Sequence, residues 1–206
     1  MMAPALPENG SGWGGCILAG GQSSRMGGHD KGLLNYRGYP LIVHVARRIA
    51  PQVAQLVISA NRNIETYAAL GYPVLPDALP GFLGPLAGMH AALLALHDQH
   101  QAVLFVPCDS PQVPLDMAVR LGSALATKSA AIVTIGALPE PAFSMLRTDQ
   151  ADMLEAYLVR GERKLLGFFD EIGAVRVPFD DVSDGFINVN TPEELALAEA
   201  RAQVPR

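Results

Sequence analysis

Short apolar segments alternate with segments of helical period through the first half of this sequence, and this alternation limits the folds open to it. Segments 15–19, 55–59 and 102–106 lack the regular polar alternation of a strand with one solvated face. Between them, apolar residues recur at helical spacing, as in Leu41, Val45 and Ile49. Apolar strands separated by helices form a parallel sheet that is covered on both faces. We therefore predict an α/β fold of three layers around a mostly parallel, twisted sheet.

The remaining elements follow from the same patterns. We predict further strands at 72–75, 130–135, 142–146, 174–177 and 185–189, and helices at 40–53, 64–70, 85–97, 114–126, 149–159, 164–170 and 192–201. The last helix has Thr191 as its N-cap and Glu194 at the capping-box position.

Composition restricts the class of protein further. The 206 residues suit one domain over 14–206, after a leader over 1–13 that has neither a positive residue nor an apolar block. Half the residues are hydrophobic and only two are cysteines, which excludes a disordered chain and a disulfide scaffold. A net charge of −5 without a basic run argues against nucleic-acid binding. No segment reaches the about 20 apolar residues of a membrane span, so we expect a cytoplasmic protein.

A glycine-rich segment over 18–31 directly follows the first predicted strand. In a parallel sheet, ligands bind beyond the carboxyl ends of the strands. Glycines there allow backbone N–H groups to approach phosphate oxygens, and Arg25 and Lys31 add positive charge. The segment 10–15 also matches the dinucleotide pattern G-x-G-x-x-G, but it precedes the strand instead of following it. We therefore predict a phosphate site at 18–31.

The segment LAGGQSSRMGGHDK resembles the opening signature of nucleotidyltransferases that activate small molecules with a nucleoside triphosphate. Within this group it looks most like the molybdenum cofactor guanylyltransferases. The likeness continues in GPLAG at 84–88, PCDSP at 107–111 and NVNTPEEL at 188–195, so it spans nearly the whole chain. It implies a Rossmann-like nucleotidyltransferase fold. It also implies transfer of GMP from GTP to the terminal phosphate of molybdopterin, with release of pyrophosphate.

Asp109 ends the most apolar predicted strand, at the edge where phosphates are expected. Its hard carboxylate oxygens suit Mg²⁺, which uses one or two carboxylates together with substrate phosphates. The resemblance assigns this aspartate to the metal as well, whereas a simple cap of the following turn is the alternative. Because a phosphate monoester is largely dianionic at neutral pH, the implied reaction needs no protein base. Arg25, Lys31 and Asp109 are then the expected catalytic residues.

The resemblance also implies a nucleotide site. A carboxylate such as Asp77 can accept both N–H groups on the Watson–Crick edge of guanine. Related guanylyltransferases tend to carry asparagine at both ends of the triplet 59–61, whereas this chain has Ser59 first and Asn61 last. The expected nucleotide-binding residues are Leu18, Ala19, Gly20, Gly21, Lys31, Ser59, Asn61, Asp77 and Asp109.

The resemblance places the pterin substrate against the second half of the chain. Asn188 and Asn190 alternate along an extended segment, so their amides share one face. The expected pterin-binding residues are Gly28, Gly84, Gly88, Arg163, Asn188 and Asn190. Accordingly, residues 14–127 are the expected nucleotide-binding half and residues 128–206 the pterin half.

Three other functions remain open at this stage. A cytidylyltransferase acting on the same pterin resembles this chain but commonly carries alanine at the position of Gly20. A second alternative is a non-catalytic protein that delivers the cofactor to apo-enzymes, or to their chaperones; the three residues of the proposed catalytic set argue against it. A sugar-1-phosphate nucleotidyltransferase is the third, although 206 residues leave little room for its usual sugar-binding additions.

Overall fold

The computed structural model describes residues 12–20, 30–79, 81, 84–189 and 194. Its strands are β1 (Gly14–Leu18), β2 (Asn35–Tyr36), β3 (Tyr39–Pro40), β4 (Gln55–Ser59), β5 (Val74–Leu75), β6 (Ala102–Pro107), β7 (Ala130–Ile135), β8 (Leu138–Arg147) and β9 (Val175–Pro178). Its α-helices are α1 (Leu41–Ile49), α2 (Ile64–Ala68), α3 (Pro85–Leu96), α4 (Met117–Ala124), α5 (Ala151–Val159) and α6 (Leu165–Glu171). Short 3-10 helices occupy Lys31–Leu33, Ala50–Gln52, Thr148–Gln150 and Asp180–Phe186.

Seven of these strands form one sheet in the order β5-β4-β1-β6-β8-β7-β9, and β2 and β3 form a separate hairpin. Every pairing in the large sheet is parallel except the two made by β8. Register places Leu18 beside both Ser59 and Pro107, and Ser59 beside Leu75. The carboxyl ends of β1, β4, β5 and β6 therefore meet at one edge, which gathers the loops that follow them. The predicted three-layer, mostly parallel fold is confirmed.

Helices cover both faces of the sheet because neighbouring strand residues point in opposite directions. On one face, Ile17 of β1 belongs to the core that α1 and α4 close. On the other face, Cys16 belongs to the core that α3, α5 and α6 close. Helix α3 is buried over most of its circumference, which explains its run of alanine and leucine. In the described parts of the chain, no helix is long and apolar enough to cross a membrane.

The strand predicted at 185–189 is wrong. Residues 180–186 form a 3-10 helix, and Phe186 packs edge-on against Phe143 and Phe179. The chain then runs extended to Val189 without joining the sheet. The apolar Phe186 therefore belongs to a buried aromatic cluster, and the alternation of apolar and polar residues in this segment does not indicate a paired strand. Of the predicted helix at 192–201, the structure describes only Glu194, which is helical.

The structure also changes two predicted boundaries. Trp13, at the end of the predicted leader, is buried and leaves no room for a side chain at Gly122 of α4, so it belongs to the folded domain. Of the rest of the leader, the structure describes Gly12, and residues 1–11 lie outside the described residues. Strand β8 is longer than predicted and carries a bulge opposite Ile132–Val133. The bulge moves residues 141–143 out of the ladder.

Candidate active site

A cleft of about 200 Å³ lies at the edge where β1, β4, β5 and β6 end. Such an edge of a parallel sheet is the usual ligand site of open α/β folds. The cleft lining includes nine residues that the sequence predicted for the site, namely Leu18, Ala19, Gly20, Lys31, Ser59, Asp77, Gly84, Gly88 and Asp109. It also includes Asp30, Pro85, Pro107, Cys108 and Ala142, which were not predicted as site residues. Residues far apart in the sequence are thus brought together at one place.

Lys31 and Asp109 form an ion pair in this cleft. The Lys31 Nζ lies 3.6 Å from the Asp109 Oδ2, although the two residues are 78 positions apart in the sequence. Asp109 lies two residues after the end of β6 and is only 8% exposed. Burial raises the pKa of its carboxyl, and the neighbouring Lys31 opposes that rise. The Glu194 carboxylate adds to the rise, so a second negative group lies close to Asp109.

The second oxygen of Asp109 suits a cation. Asp109 Oδ1 is buried and accepts no hydrogen bond from the residues that the structure describes. A buried carboxylate oxygen without a donor is costly, and a divalent cation would satisfy it. Within the same residues, no group of three or more histidine, cysteine or acidic side chains is placed to hold a metal. Mg²⁺ commonly combines one or two carboxylates with water and substrate oxygens, so Asp109 Oδ1 fits as one of its ligands.

Asn61 and Asp77 form a second polar pair, of which Asp77 lies in the lining of the cleft. The Asn61 side-chain amide donates to Asp77 Oδ2 at 2.8 Å, and the Asp77 backbone N–H donates to Asn61 Oδ1 at 2.9 Å. These reciprocal bonds hold the Asp77 carboxylate in one orientation beside the cleft. Burial raises the pKa of Asp77, and the bond from Asn61 opposes that rise. Asp77 therefore keeps acceptor capacity in a partly desolvated position.

The start of α3 forms one wall of the cleft. Gly84 has φ of 74° and ψ of −161°, a conformation open essentially only to glycine, and Pro85 occupies the first helical turn. The first turn of a helix presents unpaired N–H groups, which favour anions. Gly88, one turn further on, packs directly on the end of β4. A Cβ at Gly88 would lie 2.2 Å from Ser59 Oγ, so the structure gives this glycine a packing role.

A substitution at Gly88 tests that packing. We expect Gly88→Ala to destabilise the fold by roughly 1–3 kcal/mol, because its Cβ would also lie 3.1 Å from Ser59 Cβ. Thermal unfolding measures the effect. Adding Ser59→Ala removes the closest atom and is expected to restore most of the lost stability. Equal melting temperatures for wild type and Gly88→Ala would contradict this packing.

The C-terminal segment reaches the same place. Ser110 Oγ donates to Asn188 Oδ1 at 2.6 Å, and the Val189 backbone N–H donates to the Asp109 carbonyl at 2.9 Å. These two bonds fasten residues 188–189 to the loop after β6. Asn188 is therefore close to Asp109, as expected for a tail that completes the site. Gly21, Arg25, Gly28 and Asn190 lie outside the described residues.

Arg163 is absent from the described lining of the cleft. It follows α5 and donates to the carbonyls of Leu158 and Glu162. Thr148, just before α5, donates its hydroxyl to the carbonyl of His100, just after α3. Further along α5, Glu155 lies 3.9 Å from His90 of α3, so the two helices run antiparallel. The carboxyl end of α5 consequently lies toward the same edge of the sheet as the cleft.

The fold and the cleft together define an α/β nucleotidyltransferase. The family model described as the MobA-like NTP transferase domain matches residues 15–175. A molybdenum cofactor guanylyltransferase of Yersinia pestis is 44% identical over 187 residues, which cover 91% of this chain and 95% of the relative. One from Yersinia pseudotuberculosis matches at the same identity and coverage. The chain belongs to this family, the molybdenum cofactor guanylyltransferases, and the resemblance seen in the sequence is confirmed.

Solved structures agree with this assignment. Molybdopterin-guanine dinucleotide biosynthesis protein A from Archaeoglobus fulgidus is similar with a TM-score of 0.73 at 25% identity, covering 92% of this chain and 98% of that chain. The 4-diphosphocytidyl-2C-methyl-D-erythritol synthase of Anaerococcus prevotii has a TM-score of 0.71 at 14% identity, covering 95% and 97%. The second likeness is one of fold alone. It shows that the same architecture recurs in chains of very different sequence.

Proposed function

We propose that this protein transfers GMP from GTP to the terminal phosphate of molybdopterin, which forms molybdopterin guanine dinucleotide and releases pyrophosphate. The ion pair of Lys31 and Asp109 in the cleft supports this function most directly. A reaction between two polyanions on a chain of net charge −5 needs local positive charge where the phosphates meet. Lys31 supplies one such charge, and we assign a second to Arg25.

Asp109 is the residue that we assign to Mg²⁺, through its Oδ1, which accepts no hydrogen bond from the residues that the structure describes. When bound, the ion would neutralise phosphate charge and orient the phosphates of GTP. Lys31, which lies 3.6 Å from Asp109, would supply positive charge to phosphate oxygens at the same place. Catalysis in this scheme consists of positioning and electrostatic stabilisation, without a protein base.

We assign the nucleotide to the loops after β1, β4 and β5. The backbone of Leu18, Ala19, Gly20 and Gly21 would approach phosphate and ribose. Ser59 lies at the inner end of the cleft, and Asn61 orients Asp77. Asp77 would then accept the N1–H and the 2-amino group of guanine, which cytosine does not present in that arrangement.

Asp77→Asn tests the guanine assignment. The variant exchanges one acceptor oxygen for a donor, so we expect GTP to bind about 10- to 100-fold more weakly, as for loss of a hydrogen bond to a charged group. CTP binding should stay unchanged, and it serves as the internal control in calorimetry. Since burial raises the pKa of Asp77, GTP affinity should also fall on acidification earlier than for an ordinary aspartate. Equal affinity of the wild type for GTP and CTP would contradict the assignment.

We assign the pterin to the opposite side of Asp109. Asn188 supports this, because Ser110 and the backbone of Val189 fasten its segment beside Asp109. Gly84, where no described atom lies within 4 Å of an added Cβ, would offer close backbone approach at the start of α3. Gly28, Gly88, Arg163 and Asn190 complete the assigned set. The second half of the chain, 128–206, thus contributes to a site whose metal ligand comes from the first half, 14–127.

The decisive experiment is a product assay. With Mg²⁺, GTP and molybdopterin, we expect release of pyrophosphate and formation of the dinucleotide, and CTP should not replace GTP. Turnover with CTP alone would favour the cytidylyltransferase, whereas binding without pyrophosphate release would favour a cofactor-delivery protein. Transfer of the product to an apo-enzyme or its chaperone, and a cytoplasmic location, stay predictions.

A further inference from the structure

Asp30 is the most completely bonded carboxylate of the cleft. Its Oδ1 accepts from the Tyr67 hydroxyl at 2.5 Å and from the Gly32 backbone N–H at 3.2 Å. Its Oδ2 accepts from the Asn63 side-chain amide at 3.0 Å. Both oxygens are therefore engaged by this chain itself, in contrast to Asp109, whose Oδ1 has no donor among the described residues. These three hydrogen bonds hold the Asp30 carboxylate in one orientation.

Tyr67 donates its hydrogen bond to Asp30 from helix α2. It lies on α2 with its side chain fully buried, and burial raises the pKa of its hydroxyl, which therefore stays a proton donor. Its hydroxyl also touches the backbone at Gly32, where an added Cβ would lie 2.7 Å from Tyr67 Oη. The same Cβ would lie 3.2 Å from Cys108 Sγ. The backbone at Gly32 is thus enclosed between α2 and the end of β6.

Lys31 lies in the sequence between Asp30 and Gly32, and the contacts described above restrain both of these residues. Asp30 is the N-cap of the 3-10 helix Lys31–Leu33, so holding Asp30 orients the first residue of that turn. Cys108, which packs on Gly32, is the neighbour of Asp109 in the sequence. The Lys31 ammonium consequently faces Asp109 from a backbone that is restrained on both sides. A lysine on a long, flexible stem is precise only when its backbone is fixed.

Asn63 connects this restraint to the nucleotide end of the cleft. It adopts a left-handed conformation with φ of 51°, which asparagine tolerates better than most residues. Two residues earlier, Asn61 holds Asp77. One loop, residues 60–63, therefore carries an amide for each of two cleft carboxylates, Asp77 and Asp30.

We propose that Tyr67 and Asn63 are positioning residues of the reaction, which act through Asp30 to hold Lys31 opposite Asp109. This inference rests on the proposed role of Lys31. Neither residue needs to touch substrate, so their loss should reduce turnover and leave the binding of GTP nearly intact.

Tyr67→Phe is the direct test, since it removes one hydroxyl and keeps the buried ring. We expect kcat to fall about 10- to 100-fold, the range for a misplaced catalytic group. The KM for GTP should change by no more than about threefold. Tyr157→Phe is the matched control: Tyr157 is equally buried on α5 and donates its hydroxyl to the Lys164 carbonyl at 3.0 Å. We expect its kcat to match wild type.

A double-mutant cycle separates positioning from a general loss of stability. In an Asp30→Ala background, Tyr67→Phe should cause no further loss of kcat, because its partner is already gone. Asn63→Gly keeps the left-handed backbone, removes only the amide, and decides the question if Tyr67→Phe does not fold. We expect it to lower kcat as well.

Three outcomes would overturn the inference. Wild-type kcat in both Tyr67→Phe and Asn63→Gly would do so, and so would fully additive losses in the cycle. If Lys31→Ala itself kept its activity in the same assay, the assigned role of Lys31 would fail and the positioning of Lys31 with it. An inactive Lys31→Ala beside fully active Tyr67→Phe and Asn63→Gly would overturn the positioning alone and leave the proposed function standing.

Discussion

Lys31→Ala is expected to lower turnover by about 10²- to 10³-fold, the usual loss when one group that stabilises developing charge is removed. In the proposed scheme, no other described residue brings a positive charge as close to Asp109, and the reacting phosphates would repel each other more strongly. Pyrophosphate release from GTP and molybdopterin measures the effect. The Lys31 side chain is 30% exposed but Asp109 is buried, so Lys31→Ala leaves a buried carboxylate without this partner and should be less stable than wild type. Thermal unfolding therefore has to show that the variant is folded before its turnover is compared.

Lys128→Ala is a suitable control for Lys31→Ala. Lys128 is exposed in the turn between α4 and β7, so the substitution makes the same change of net charge outside the cleft. Its turnover should equal that of the wild type. Near-wild-type turnover of Lys31→Ala would remove Lys31 from the mechanism, whereas equal losses in both variants would point to net charge instead of position.

Asp109→Asn is expected to abolish Mg²⁺-dependent turnover and yet to stabilise the protein. The first effect follows from the loss of the assigned metal ligand, and we expect a decrease of at least about 10²-fold. The second follows from burial, which raises the pKa of Asp109 above its ordinary value of 3.8. At neutral pH the folded protein therefore carries a charge that its surroundings disfavour, and asparagine carries none. Catalytic sites often retain such destabilising groups for function.

The pH dependence of unfolding checks the sign of this effect. Between the ordinary pKa and the raised pKa, the folded state binds more protons at Asp109 than the unfolded state does. This contribution to stability therefore falls as the pH rises through that window, and the penalty stays fully present above it. Relative to wild type, Asp109→Asn should gain most in unfolding free energy at neutral pH and least in acid. A variant less stable than wild type at neutral pH would contradict this account.

A thermal-shift experiment tests the metal assignment in the same variant. Wild type should be protected by GTP more strongly with Mg²⁺ than without it. In Asp109→Asn, addition of Mg²⁺ should change the protection by GTP little. Unchanged Mg²⁺ titrations of the variant would show that the ion has other ligands.

Much of the sheet edge could be predicted because parallel strands have a strong local signal. A strand that is buried on both faces must be apolar throughout, so β1, β4 and β6 stand out, and whatever follows them meets at one edge. Lys31 and Asp109 were predicted in this way, whereas the role of Asp77 was predicted from the family resemblance. The prediction of a strand at 185–189 was wrong because an apolar residue can also be buried outside a sheet. Phe186 packs in an aromatic cluster and not against a neighbouring strand.

The sequence by itself determined the α/β class, the glycine-rich loop, the family and the residues that carry charge into the cleft, because these depend on local pattern and on residue type. Only the tertiary structure decided which groups meet. The Tyr67 hydroxyl on Asp30, the reciprocal pair of Asn61 and Asp77, and the packing of Gly88 on Ser59 join residues from different elements. Such contacts arise from the relative placement of packed helices and strands, which no local pattern encodes.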